Sequence, residues 1–462
     1  MSTAMTWLNE SFAPRVNKIT RNPYVAGLQD GLLRIVPFIL VGSLVTLVAI
    51  IPGVADAVPS IWKLSDYTFG LISLFLSYLI AFFILEKKKR GDVSQAGGLA
   101  AMALYLMLLM PVDIADSDPA LTGFDFSRFG AKGMFVAVLA GIFAAVVMDF
   151  FGRIDLFKNA TGVPSFVVNW FKSLLPITIV LTVGWLLTFV LGFSVFDLVL
   201  DAFSPLMKGA DTYPGFVLMC FVSAFLYSLG ISTWALAPLF YPLWLQNIQL
   251  NSEQVAAGNA ATHVNTYETV FSGWIAIGGV GATLGLAFLM AFTARSSRLR
   301  VIGRAGLVPS IFNINEPIIF GGPVAFNPIL MVPMWLQGLV LPAIVYPVLA
   351  SGLVTVPGRV FSLWYVPFPI STYVISGFAG AVLATLLIAL STLIWLPFMR
   401  VYDRQEVTKE QAEAVRVAES ARAAEIAATP KAQTASGRTD DGSVRVRRTR
   451  PRVTTSAHQD SQ

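Results

Sequence analysis

RAGLVPSIFNINEPIIFGG, residues 304–322, is the stretch on which the fold turns. It sets Asn313, Asn315 and Glu316 between apolar runs in a chain otherwise built for a bilayer. Pro317 fixes the backbone directly after the carboxylate, and Gly321, Gly322 and Pro323 interrupt any helix that tries to follow. An ionisable group inside hydrocarbon costs several kcal/mol unless it is paired or solvated, so one in this setting is a functional candidate. A broken helix at membrane depth is tolerated only where it lines a cavity or is buried in protein. The stretch therefore predicts a polar solute site containing Glu316. The competing reading is a surface loop with a merely solvated carboxylate.

Composition around it supports a membrane setting. Of 462 residues, 55% are hydrophobic and 13% charged, against about 25% charged in soluble domains. Mean hydropathy is +0.69. The abundant Phe and Trp suit lipid-facing and interfacial surfaces. The single cysteine, Cys220, excludes an internal disulfide or thiolate cluster and reads as a small buried hydrophobe. His263 and His458 are the only histidines, so no compact His-based metal site and no cofactor are expected. The formal charge of +5 is concentrated in short loops and at the tail tip, which fits membrane topology and lipid contact rather than nucleic acid. No cleavable signal peptide is expected, because residues 1–30 are largely polar.

Working outward, RSSRLRVIGR at 295–304 precedes the broken stretch and should face the cytoplasm, as should EKKKRGD at 86–92. Spans are expected at about 31–52, 67–85, 94–111, 131–150 and 176–196. Asp113, Asp116, Asp118 and Asp125 mark an external loop, and FGRIDLFKN at 151–159 an internal one. Residues 8–30 read as an amphipathic helix on the membrane surface. An apolar run from Tyr213 to Leu229 is interrupted at Gly230, Ser232 and Thr233. The piece from Trp234 to Trp244 carries Pro238 and Pro242 and is too short to span, so it reads as part of a re-entrant hairpin or an irregular helix. Residues 246–268 are polar and expected outside; 270–293 form a glycine-rich span containing GGVGATLG at 278–285. Further spans are expected at about 328–351 and 374–398. The expected fold is thus an all-α polytopic membrane protein of about ten transmembrane helices with re-entrant hairpins, in the cell inner membrane, with N- and C-termini cytoplasmic. Residues 404–430 alternate Glu, Arg and Ala and extend the last helix; the remainder is expected to be disordered, with VRVRRTRPR at 444–452 either solvated or touching anionic lipid.

The candidate site residues follow from hydroxyl chemistry. Asn313 and Asn315 supply amides and Glu316 a carboxylate, a mixture that matches sugar hydroxyls, which both donate and accept. Cation coordination by Glu316 and backbone carbonyls competes with that reading. Ser232 and Thr233 either cap a helix end or line the cavity. His263 reads as a solvated loop histidine, although it and the adjacent Thr262, Asn265, Thr266, Tyr267 and Glu268 lie just ahead of an expected span and within reach of the site. Trp234, Trp274 and Trp364 suit either stacking on a sugar face or anchoring at the interface.

IFNINEPIIFG at 311–321 is followed by Pro323, Asn327 and Pro328, and it is preceded by GGVGATLG and by YVAGLQDGLLRIVPFILVGS at 24–43; VPFPI follows at 366–370. In that order these motifs resemble the membrane-spanning enzyme IIC component of the bacterial phosphoenolpyruvate-dependent sugar phosphotransferase system, in its lactose/cellobiose/diacetylchitobiose branch, over about residues 8–400. The resemblance implies a homodimer built on an N-terminal half (31–208), a sugar-binding transport half (209–400), an amphipathic segment (1–30) and a cytoplasmic tail (401–462). Glu316 falls on the family's carboxylate that contacts the hydroxyl to be phosphorylated. Ser232 stands where the family has a site histidine, and serine is no base near neutral pH. No enzyme IIB domain is recognisable, so the phosphocysteine donor is expected to be a separate cytosolic protein. The implied function is translocation of a disaccharide or related glycoside and its presentation for 6-phosphorylation. Because of Ser232, a phosphorylation-independent carrier or facilitator is the alternative, and a sugar sensor acting through the tail is a third.

Overall fold

The computed structural model describes residues 7–49, 51, 54–114, 120–154, 165–322 and 324–428. Asp116, Asp118, residues 155–159 of the expected internal loop, Pro323, His458 and the basic run at 444–452 lie outside the described residues, as does the tail segment expected to be disordered. The chain divides into two units, Met1–Lys409 and Glu410–Gln462. Of the second unit, the described residues are the end of the last helix, up to Ala428.

Helices dominate; the described strands are Val112–Ile114 and Leu121–Gly123, paired antiparallel. Six helical stretches among the described residues are long and apolar enough to cross a membrane: Pro23–Ala49, Trp62–Lys87, Ala131–Gly152, Lys172–Val190, Pro328–Ala350 and Ile370–Arg422. A seventh is added if Val195–Ala210 and Tyr213–Ser228, bent by 86°, form one span. The expectation of about ten crossings with re-entrant hairpins is therefore corrected to 6, or up to 7. Each lost span has a local cause. Gly91–Leu108 is helical but opens on the polar run GDVSQAGG. The expected span 270–293 is broken by left-handed backbone at Gly278 (φ +75°), Gly279 (φ +101°), Gly281 (φ +90°) and Ala282 (φ +50°), which leaves Leu284–Thr293. Trp234–Trp244 takes the irregular-helix form of its two expected readings: the tight turn Thr233–Leu236 runs into the helix Ala237–Ala256, which contains Pro242 and whose second half is polar.

In lipid, helices associate by close packing, because the surrounding tails are as apolar as the side chains. The Ile72–Lys87 helix sits among Pro23–Ala49, Gly91–Leu108 and Met134–Gly152. A Cβ on Gly27 would come within 2.6 Å of Ile84 Cγ1, and one on Gly141 within 2.7 Å of Ile80 Cγ2, so hydrogen at these positions sets the interhelical distance. At the basic end, buried Asp149 gathers Lys88 at 2.9 Å, Arg90 at 3.5 Å and Arg153 at 2.7 Å. The hydrogen bond to Asp149 holds the Lys88 ammonium above its ordinary pKa.

Further along, Tyr213–Ser228 packs on Pro328–Ala350, and Leu284–Thr293 packs on Ser297–Ile311. The start of the Ser297–Ile311 helix is tied down by Asp403, whose Oδ1 accepts the N–H groups of Arg295 at 3.0 Å and Ser296 at 2.9 Å. That helix delivers the chain to Asn313 and Glu316, and a π-helical turn, Pro317–Gly321, comes next. The irregular segment 351–369 returns toward the same place before the final helix, Ile370–Ala428, which is broken at Ser376 and Gly377.

Candidate functional site

Three breaks in helical geometry converge: the glycine turns at 278–282, the left-handed Asn313 (φ +62°), and the irregular segment carrying Trp364. Asparagine tolerates that backbone region better than other side chains with a Cβ. Its amide then joins all three segments. Asn313 Oδ1 accepts the Gly278 N–H at 2.8 Å, and Asn313 Nδ2 donates to the Trp364 carbonyl. Asn315, 3% exposed, donates to the Val280 carbonyl at 2.9 Å and to Thr283 Oγ1 at 3.0 Å, and accepts from the Tyr227 hydroxyl at 3.2 Å. A Cβ on Gly279 would lie 2.3 Å from Asn315 Cγ, so that glycine supplies both the turn and the room.

These bonds frame an open cavity with about 820 Å³ free of protein atoms, solvent at its mouth included. One wall is aromatic: Trp234, Tyr241, Trp244, Tyr267 and Phe271. The rings brace one another, with Tyr241 and Tyr267 centroids 5.2 Å apart and Tyr267 stacked on Phe271 at 4.8 Å. Trp244 is fixed by its Nε1–H donating to Asn265 Oδ1 at 2.9 Å. The other wall brings Thr233, Asn313, Asn315, Glu316 and Trp364. Because both asparagine amides are committed to the scaffold, the polar groups left for a solute are few. Glu316 makes no hydrogen bond or ion pair among the described residues and is exposed. It combines the two readings of its stretch: a lining residue, yet open to water at the edge of the cavity.

Other candidates stand elsewhere. Ser232 does not line the cavity; its Oγ accepts the Trp234 N–H at 3.4 Å as a helix cap. His263 Nδ1 meets Asp211 Oδ2 at 2.6 Å, away from the lining. Thr266 is fully buried and caps its own turn through the Thr269 N–H at 3.1 Å. Trp274 is also fully buried and donates to the Gly380 carbonyl at 3.0 Å. Of the aromatic wall, Trp234 and Tyr267 were among the residues named from sequence, whereas Tyr241, Trp244 and Phe271 were missed. Tyr241 with Trp244, and Tyr267 with Phe271, have helical spacing, and that periodicity was the available signal.

A family model described as the phosphotransferase system EIIC component matches residues 29–338. The chain belongs to the EIIC family. Among its relatives is the cellobiose-specific EIIC component of Geobacillus stearothermophilus, 30% identical, with 89% of this chain and 97% of that one covered. The putative permease IIC component YwbA of Bacillus subtilis is 29% identical over 89% of this chain and 98% of its own length. Among solved structures, the transporter ChbC, the IIC component of an N,N'-diacetylchitobiose-specific phosphotransferase system, aligns with a TM-score of 0.79. It is 27% identical, over 88% of this chain and 99% of that one. As an EIIC component, the protein is a polytopic inner-membrane subunit that translocates a sugar and works with a phosphotransfer component. It acts within a phosphoryl relay, not as a standalone enzyme.

Proposed function

We propose that this EIIC component carries a β-linked disaccharide or related glycoside and presents its 6-hydroxyl to a separate IIB-type phosphocysteine donor. Cellobiose, lactose and diacetylchitobiose in the relatives' names are all disaccharides. One observation carries the reading: an unpartnered carboxylate, Glu316, stands at the open edge of a cavity walled by aromatic rings. Rings cover the apolar faces of a sugar, while the carboxylate accepts from a hydroxyl and orients it. Trp364 faces the sugar from the side that Asn313 and Asn315 brace through their bonds to the scaffold, and Thr233 contributes its hydroxyl. Residues 31–208 form the half that pairs with a second copy, and 209–400 the half that carries sugar. The short helix Ala13–Thr20 lies along the membrane surface ahead of the span that starts at Pro23, and both termini are cytoplasmic, consistent with the basic groups gathered on Asp149.

Proteoliposomes with labelled cellobiose test this. Glu316→Gln is expected to lower donor-dependent formation of sugar phosphate about a hundredfold, the usual cost of losing alignment at the reacting atom. It should weaken binding about tenfold, because a hydrogen bond to a charged group becomes one to a neutral amide. Unchanged uptake and affinity in that variant would refute the assignment.

A second reading is kept open by the lining itself, which contains no histidine among the described residues. A phosphorylation-independent carrier needs no base at the sugar. Net release of unmodified cellobiose without any donor would favour it.

A further inference from the structure

Glu268 is fully buried next to Tyr267, and the proposed transport cycle gives it no role. Its Oε1 accepts two donors from consecutive residues, the Phe361 N–H at 3.0 Å and the Ser362 hydroxyl at 3.1 Å. Its Oε2 is buried with no partner among the described residues. No basic side chain is paired with it among the described ion pairs. A buried carboxyl held this way is expensive, so a site that keeps one puts it to use.

What it holds is the segment bearing Trp364. Residues 351–369 have no regular helix of their own, so their backbone groups must find partners elsewhere. Asn251 Nδ2 donates to the Pro357 carbonyl at 2.8 Å. Four residues on, Glu268 takes Phe361 and Ser362, and Ser43 Oγ accepts the Ser362 N–H at 2.8 Å. Ser43, on the Pro23–Ala49 helix, donates its own hydroxyl to Ile39 at 3.0 Å, which leaves its lone pairs facing Ser362. The Trp364 N–H then bonds the Ser362 carbonyl at 3.0 Å, and the Trp364 carbonyl accepts from Asn313. The clamp thus ends two residues before a wall of the cavity.

We propose that Glu268 is a positioning residue: with Ser43 it clamps Phe361 and Ser362 and so sets where Trp364 stands at the sugar site. The effect on sugar rests on the proposed reading of the cavity as a sugar site; the clamp does not. The two are separated by measuring backbone amide exchange across 360–364 without sugar, and cellobiose affinity by titration, in the full chain. Glu268→Ala is expected to speed exchange at Phe361 and Ser362 at least tenfold and to weaken cellobiose binding about tenfold. Glu268→Gln keeps an acceptor oxygen and should restore both to within about threefold of wild type. In a Trp364→Ala background, Glu268→Ala should weaken binding no further, whereas general damage to the fold would add.

If Glu268→Ala does not fold, Ser43→Ala removes the other half of the clamp from a different helix. It is expected to speed exchange at Ser362 to a similar degree, with a loss of affinity that again vanishes without Trp364. Unchanged exchange in whichever variant folds overturns the proposal. So does a Glu268→Gln protein as impaired as the alanine variant, which would assign the role to charge, and so do additive losses with Trp364→Ala. Wild-type protein that does not bind cellobiose would instead count against the cavity as a sugar site, and exchange at 360–364 would still decide the clamp.

Discussion

Removing the Asn313 amide tests whether one side chain organises the cavity. Asn313→Ala deletes the acceptor for the Gly278 N–H, 2.8 Å away, and the donor to the Trp364 carbonyl. Each lost hydrogen bond is worth about 1 kcal/mol net, and a buried N–H left without a partner raises that figure. Alanine must also adopt φ near +62°, a left-handed geometry that costs a residue with a Cβ roughly 1 kcal/mol. The sum is about 3 kcal/mol, equivalent to about two powers of ten in the ratio of organised to disorganised site. Asn313→Gly removes the backbone share and keeps the hydrogen-bond share, so it should fall about 1 kcal/mol short of alanine. Cellobiose titration is the assay, with thermal melting as the control. The expected order of affinity is wild type, then glycine, then alanine, with alanine weaker by tenfold to a hundredfold because part of the loss appears as global destabilisation. Both variants binding within about twofold of wild type would refute the idea that this amide joins the three segments.

Two further outcomes are expected from contacts outside the cavity. His263→Ala removes the 2.6 Å contact with Asp211 and should lower stability by about 1 kcal/mol while leaving cellobiose affinity within about twofold; a tenfold loss of affinity would return His263 to the site. Gly303→Ala brings a Cβ to 2.3 Å from the Ala291 amide nitrogen, so Ser297–Ile311 must move off Leu284–Thr293. A loss of about 1–3 kcal/mol in melting or denaturant stability is expected, and wild-type stability would show that the two helices are not held at this distance.

The long apolar helices were legible because bilayer length and composition constrain them strongly: Pro23–Ala49, Pro328–Ala350 and Ile370–Arg422 each overlap most of an expected span. The overcount arose where apolar composition was read as a continuous helix. GGVGATLG allowed either close approach or a break, and the structure uses it for both: left-handed turns at 278–282, and room at Gly279 for Asn315. The polar candidates illustrate a different limit. Asn313, Asn315 and Glu316 are consecutive in pattern, yet two of them spend their amides on backbone and hydroxyl partners while the third is left open. Sequence places such groups together but cannot say which partners are already taken. His263 and Thr266 were drawn toward the site by proximity in the chain, whereas Asp211 and Thr269 claim them in space. The pairing of Glu268 with Phe361 and Ser362 spans more than ninety residues, with no local pattern to announce it.

The serine at 232 bears on how much chemistry the site must supply. Phosphoryl transfer passes through a loose transition state, in which the attacking hydroxyl contributes little bonding and needs little help in losing its proton early. What such a reaction needs from its acceptor side is alignment, and effective molarities show that alignment alone removes a large part of the barrier. In the proposed cycle, Glu316 provides this by accepting from the hydroxyl while the rings fix the sugar plane, and its exposure leaves a path for the donor. A histidine beside it would then add to the rate without being required for it. On this view Ser232, occupied as a cap for Trp234, is compatible with phosphotransfer, because its hydroxyl fixes the turn that sets Trp234 in the aromatic wall.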